Sequence, residues 1–114
     1  MQKLRNPTVT FWSVWEGEQL AGIGALKLLD DKHGELKSMR TAPNYLRRGV
    51  ASLILRHILQ DAHDRCLHRL SLETGTQAGF TACHQLYLKH GFVDCEPFAD
   101  YQLDPHSRFL SLTL

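Results

Sequence analysis

Residues 39–51 read Met39-Arg40-Thr41-Ala42-Pro43-Asn44-Tyr45-Leu46-Arg47-Arg48-Gly49-Val50-Ala51, a passage from a strand through a short loop into an amphipathic helix. The first amides of a helix lack intrahelical acceptors and sit at the positive end of its dipole, so a loop wrapping onto a helix start is suited to a pyrophosphate. Gly49 lets the main chain come close to such a group, and Arg47 and Arg48 add positive charge. Pro43 removes a ladder donor and biases Ala42 to an extended conformation, which marks the exit from the strand.

Downstream of this junction, Val50, Ile54, Leu55, Ile58, Leu59 and Ala62 recur at three and four, a stripe that predicts a helix over 50–66 with one buried face. Arg69-Leu70-Ser71-Leu72-Glu73 then alternates as a strand, and a strand reached through a helical crossover is expected to run parallel to the one over 35–41. Phe80, Cys83, Leu86, Tyr87 and His90 predict one face of a second helix that Gly91 ends, followed by strands near 92–97 and 108–114. Upstream, residues 9–15 are rich in β-branched and aromatic types. Turn signals at 16–19 and 30–34 make 9–15, 20–29 and 35–41 a three-stranded antiparallel meander.

The chain has 114 residues with no repeat, low-complexity tract or composition break, so a single domain over 1–114 is expected. A net charge of +1 with interspersed signs argues against a nucleic-acid surface and a polybasic membrane patch. There is no apolar run of membrane-spanning length and no signal-peptide pattern, so a cytoplasmic location is expected. Cys66, Cys83 and Cys95 are widely spaced and read as buried thiols rather than a disulfide or zinc framework. The pairs His57/His63 and His84/His90 are each six apart, off one helical face, so no metal site is expected.

The phosphate-loop segment Leu46-Arg47-Arg48-Gly49-Val50-Ala51 resembles motif A of the GNAT superfamily of acyl-CoA N-acyltransferases, usually Gln/Arg-x-x-Gly-x-Gly/Ala, with Leu46 departing at the first position. Ala82-Cys83-His84-Gln85-Leu86-Tyr87-Leu88-Lys89-His90-Gly91-Phe92 is similar to motif B and matches its Leu-Tyr-x-x-x-Gly-Phe tail. Phe80 and Cys83 stand where Asn and Ala are common. The resemblance implies an α/β (α+β) fold of mixed, mostly antiparallel sheet, with helices packed on it and a central parallel strand pair splayed at the acyl-CoA site. It also implies acetyl-CoA as co-substrate, no metal, and acetyl transfer to a primary amine of a small molecule or peptide through a tetrahedral intermediate.

Carried over residue by residue, the resemblance places coenzyme contacts at Met39, Arg40, Thr41, Leu46, Arg47, Arg48, Gly49, Val50, Ala51, Ser52, Phe80 and Tyr87. Met39 and Thr41 would pair with pantetheine through their backbone, and an amide at Met39 or Arg40 would meet the oxyanion. Tyr87 takes the place of the acid that protonates the leaving thiolate. An alkylammonium has a pKa near ~10.4 and must lose a proton before it attacks, so a carboxylate is required. Glu35, fourteen residues before Gly49, and Glu73, at the end of the parallel strand, are both candidates for that base. Arg40 is a candidate clamp for an acceptor carboxylate or a solvent-face strand residue, with His106 and Tyr101 as further wall residues.

A nucleotide-hydrolysing phosphate loop is disfavoured because Gly-Lys-Ser/Thr is lacking. The similar bacterial acetyltransferases carry a first strand and helices that only residues 1–8 could supply here, so those N-terminal elements are expected to be missing. That would leave the edge of the 9–15 strand open, and a homodimer is expected to cover it. A non-catalytic acyl-CoA-binding or protein-interaction module of the same fold is the alternative function.

Overall fold

The computed structural model describes residues 1–5 and 8–114. Its elements run β1 (Gln2–Arg5), β2 (Val9–Glu16), β3 (Gln19–Leu28), β4 (His33–Thr41), α1 (Val50–Asp64), β5 (Arg69–Gly75), α2 (Thr81–Lys89), β6 (Val93–Asp94) and β7 (Ser107–Thr113). The strands form one sheet in the order β1-β2-β3-β4-β5-β7-β6. All neighbours are antiparallel except β4 and β5, which run parallel as the α1 crossover requires.

One expectation needs correction at the N-terminus. The edge of the 9–15 strand is paired, because Gln2 to Arg5 form β1 against it from Gln2↔Ser13 to Arg5↔Thr10. Four residues suffice for this because a strand on an existing sheet needs only ladder bonds and a few side-chain anchors. Lys3 supplies one: its Nζ lies 2.6 Å from Asp61 Oδ1 on α1 and 5.5 Å from the centre of the Trp12 ring.

The sheet has a packed side and an open side. Val50, Ile54, Leu55, Ile58 and Ala62 of α1 are buried on the packed side with Leu26, Leu36, Leu70, Leu72 and Leu110, most of them fully enclosed. α1 can lie this close because β3 carries glycines beneath it. A Cβ on Gly22 would sit 2.7 Å from Val50 Cγ1, and one on Gly24 would sit 2.6 Å from Ile54 Cγ2. Tyr87 and Phe92 bring α2 and its following turn into the same core. Gly91, at φ 95°, turns the chain beyond the helix.

Two bulges decide which residues face the open side. Ala25 pairs with Lys37 but Ile23 pairs with Arg40, so β4 carries an extra residue, and Ser38 there takes φ 58°. Val14 pairs with Gly22 but Trp15 with Leu20, which places an extra residue, Ala21, in β3. Paired residues share a face, so Leu20, Ile23, Glu35, Lys37 and Arg40 all point away from α1.

Smaller differences follow from local geometry. The final pair of strands is shorter than expected on one side, with β6 only two residues long, because Pro97 and the turns after it lead the chain off the sheet. α1 ends at Asp64, and Cys66 adopts φ 61° in the turn beyond it. The cysteines, expected buried, are exposed at Cys66 and half-buried at Cys83 and Cys95, since a turn residue in the left-handed region has no core to enter. Phe80 lies in a 3-10 turn before α2 rather than on the helix itself. Among the described residues no helix is long and apolar enough to cross a membrane.

Candidate active site

The β4/β5 ladder runs from His33↔Arg69 to Leu36↔Leu72 and stops there, although β4 continues to Thr41 and β5 to Gly75. The strands splay beyond that point, and the backbone of residues 37–41 loses its partner on the β5 side. A cleft of about 350 Å³ opens in the gap. Leu36, Lys37, Ser38, Met39 and Arg40 line one wall, and Glu73, Thr74, Gly75, Phe80, Cys83 and Tyr87 line the other. Five residues expected at the site line this cleft, Met39, Arg40, Glu73, Phe80 and Tyr87, while Thr41 lines a separate recess and Ser52 stands in the first turn of α1.

The β4 bulge arranges this wall. Met39 turns its sulfur towards the packed side, where a Cβ on Gly24 would meet it at 2.7 Å, while Lys37 and Arg40 face the open side. The Arg40 side chain makes no ion pair or hydrogen bond among the described residues. Phe80 closes the end of β5: a Cβ on Gly75 would lie 2.5 Å from its ring. His84 Nε2 lies 2.7 Å from the Gly75 carbonyl and fixes α2 to the strand end.

Tyr87 is 5 % exposed, with its ring against Phe92. Its hydroxyl finds no hydrogen-bond partner among the described residues. Burial, and then the neighbouring Cys83 thiol, push its pKa well above the usual phenol value, so it holds its proton at neutral pH.

The two candidate bases differ. Glu73 is exposed, lines the cleft, and accepts a hydrogen bond from Ser107 Oγ at 2.6 Å. Glu35 is 3 % exposed, and its Oε2 accepts from the Tyr101 hydroxyl at 2.6 Å and lies 3.8 Å from Lys37 Nζ. Burial and Glu35 both raise the Tyr101 phenol, so Tyr101 remains a donor. Glu35 lines a neighbouring hollow of about 630 Å³ with His33, Lys37 and Tyr101 rather than the cleft. His33 Nε2 lies 2.7 Å from Ser71 Oγ, and burial, with help from Arg69, lowers its pKa.

Beyond the end of β4, Leu46 to Gly49 form turns between a 3-10 turn (Pro43–Tyr45) and α1. Arg47 and Gly49 adopt φ 63° and 79°. The first ladder bond of α1 runs from Leu53 N–H to the Gly49 carbonyl, so Val50, Ala51 and Ser52 offer free amides. A Cβ on Gly49 would meet nothing within 4 Å, so the space over the amides is open to a phosphate. Leu46 is exposed and contributes backbone only.

Sequence reasoning missed what braces this loop. The buried Tyr45 hydroxyl donates to Gln19 Oε1 at 2.8 Å, and Arg48 lies 4.9 Å over the Tyr45 ring with Nη2 3.5 Å from Glu16 Oε2. Arg48 is thus partly engaged, and Arg47 is the freer cation of the pair. A lone tyrosine immediately before the motif carries no periodic signal. Among the described residues no three His, Cys, Asp or Glu gather as metal ligands.

Comparison with known proteins agrees with this geometry. The chain is 96% identical over 114 residues to the uncharacterised N-acetyltransferase YedL of Escherichia coli (strain K12), a match covering all of this chain and 72% of that protein. It is 55% identical over 114 residues to the uncharacterised N-acetyltransferase YsnE of Bacillus subtilis (strain 168), covering 100% of this chain and 76% of that one. Its fold is shared with the PaiA N-acetyltransferase of Thermoplasma acidophilum in complex with coenzyme A, at TM-score 0.79 and 16% identity, over 94% of this chain and 62% of that one. Residues 2–92 match the Acetyltransferase (GNAT) family, and the chain belongs to that family.

Proposed function

We propose that this chain transfers an acetyl group from acetyl-CoA to a primary amine of a small molecule or peptide, by direct attack through a tetrahedral intermediate. The observation that carries the reading is the cleft between splayed β4 and β5, lined by a buried, protonated tyrosine and bordered by a strand whose next helix starts with open amides. The coenzyme A bound in the Thermoplasma acidophilum structure supports the choice of co-substrate.

On this reading the amides of residues 46–52 and the Arg47 guanidinium hold the pyrophosphate, and the freed backbone of residues 37–41 pairs with the pantetheine amides. The amine arrives from the open side and gives a proton to Glu73, directly or through water. Its nitrogen attacks the thioester carbonyl, whose oxygen is met by the Met39 or Arg40 amide. Tyr87 protonates the departing sulfur. Glu35, buried and already engaged, holds Tyr101 and Lys37 in place and is the second carboxylate of the site.

Calorimetry with acetyl-CoA on the chain and on Gly49→Glu tests the reading, with coenzyme A thiol release followed over a panel of amines. Binding lost in the variant, together with amine-dependent thiol release, is the expected result. Binding with no turnover on any amine would replace it with the non-catalytic acyl-CoA-binding module, and no binding would remove both.

A further inference from the structure

Arg40 stands between two hollows that together describe an acceptor. It lines the thioester cleft, facing Glu73 and Tyr87 across the gap. It also lines a second, apolar recess of about 250 Å³ formed with Leu20 and Ile23. Ile23 faces the open side by alternation with Ala25, and the other two reach it only because both strands are bulged: Arg40 pairs with Ile23 past the extra residue in β4, and Leu20 pairs with Trp15 past Ala21. In a regular ladder Arg40 would point at α1.

The cleft's other cation, Lys37, lies 3.8 Å from Glu35, whereas Arg40 has no carboxylate within ion-pair reach among the described residues. A guanidinium beside a reaction cleft, without an acidic partner and next to an apolar hollow, matches a ligand carrying a carboxylate and an apolar body. We propose that the acceptor is an α-amino acid with an apolar side chain, its carboxylate on Arg40, its side chain in the Leu20–Ile23 recess and its amine at the cleft beside Glu73. This rests on the acetyl-transfer reading above.

The step balances without a further reactant. The ammonium gives one proton to Glu73, the nitrogen forms a bond to the acetyl carbon, and the carbon–sulfur bond breaks. The second nitrogen proton replaces the one Tyr87 gives to the thiolate, so the products are the N-acetyl amino acid, coenzyme A thiol and one released proton.

The test compares kcat/KM for L-phenylalanine with phenethylamine, and for L-leucine with isoamylamine, which keep the apolar body and lose the carboxylate. A hydrogen-bonded ion pair to a guanidinium predicts a preference of about tenfold to a hundredfold for the acids. Arg40→Gln should shrink that ratio towards one, and Arg40→Lys should restore part of it, whatever either substitution does to overall turnover. Equal use of acid and amine, or a ratio unmoved by Arg40→Gln, overturns the assignment. Acetyl-CoA calorimetry on the unaltered chain separates the two failures: coenzyme binding without discrimination removes only the acceptor class, and absent binding removes the acetyl-transfer reading with it.

Discussion

Tyr87 and Glu73 line the same wall of the cleft in opposite environments, one buried and the other solvated. Positioned proton transfer contributes about 10²–10⁴-fold, so Tyr87→Phe is expected to lower kcat by roughly 10²-fold with little change in acetyl-CoA affinity, measured by steady-state kinetics beside calorimetry. Glu73→Gln should lower kcat most near neutral pH and recover as pH approaches the amine's own pKa, where free base needs no acceptor. A pH profile parallel to that of the unaltered chain would shift the role to Glu35. At Gly49 the expected loss divides: Gly49→Ala keeps φ 79° only with backbone strain, about 1 kcal/mol, whereas Gly49→Glu also fills the phosphate space.

Among the elements, α1 is held by more than its apolar stripe. Asp61, 5 % exposed, lies 2.6 Å from Lys3 of β1 and 2.7 Å from Arg65 Nε. The Arg65 contact is an ion pair across one helical turn, at the i,i+4 spacing. Arg65 in turn donates to the buried Thr10 hydroxyl of β2. Asp61→Ala should therefore destabilise by about 3 kcal/mol, the low end for breaking a buried pair because Lys3 is partly solvated, read from the urea midpoint. Gly24→Ala should also destabilise, by forcing Ile54 and Met39 apart, and Met39 binds that effect to the cleft. Periodicity revealed α1, β5 and the parallel pair, and the Arg47–Gly49 loop and Tyr87 were legible because motifs are local in sequence. The bulges at Ser38 and Ala21 were not. They arise from cross-strand register, which no single strand encodes, so the sequence alone left Arg40 between clamp and solvent residue. β1 escaped notice for the same reason: four residues carry too short a pattern, and their stability comes from contacts far along the chain.

For the molecule as a whole, burial raises the phenols of Tyr87 and Tyr101, with Glu35 adding to the second. Below about pH 10 both folded and unfolded chains keep these protons, so stability is unaffected there. Above that, the unfolded chain releases them first, and stability should fall with rising pH. Thermal melts in that range should show the decline flatten in a Tyr87→Phe, Tyr101→Phe double variant. On the open side, Leu4 and Phe11 pair directly and remain exposed near the β1 edge. The homodimer expected from the sequence would use that edge, and light scattering should then show a dimer that Leu4→Lys disperses; a monodisperse monomer would remove the expectation. The extra residue at Ser38 has one more consequence for the molecule. It divides β4 into two halves of opposite parity, so residues counted in twos from Glu35 and residues counted in twos from Arg40 share an outlook only because one position was inserted between them. Deleting Ser38 should therefore restore plain alternation, with Met39 still opposite Gly24 and Arg40 still opposite Ile23 on the open side, whereas a residue added to β4 with no second bulge would turn Arg40 towards α1, so that the acceptor wall stands one residue of chain length from inversion.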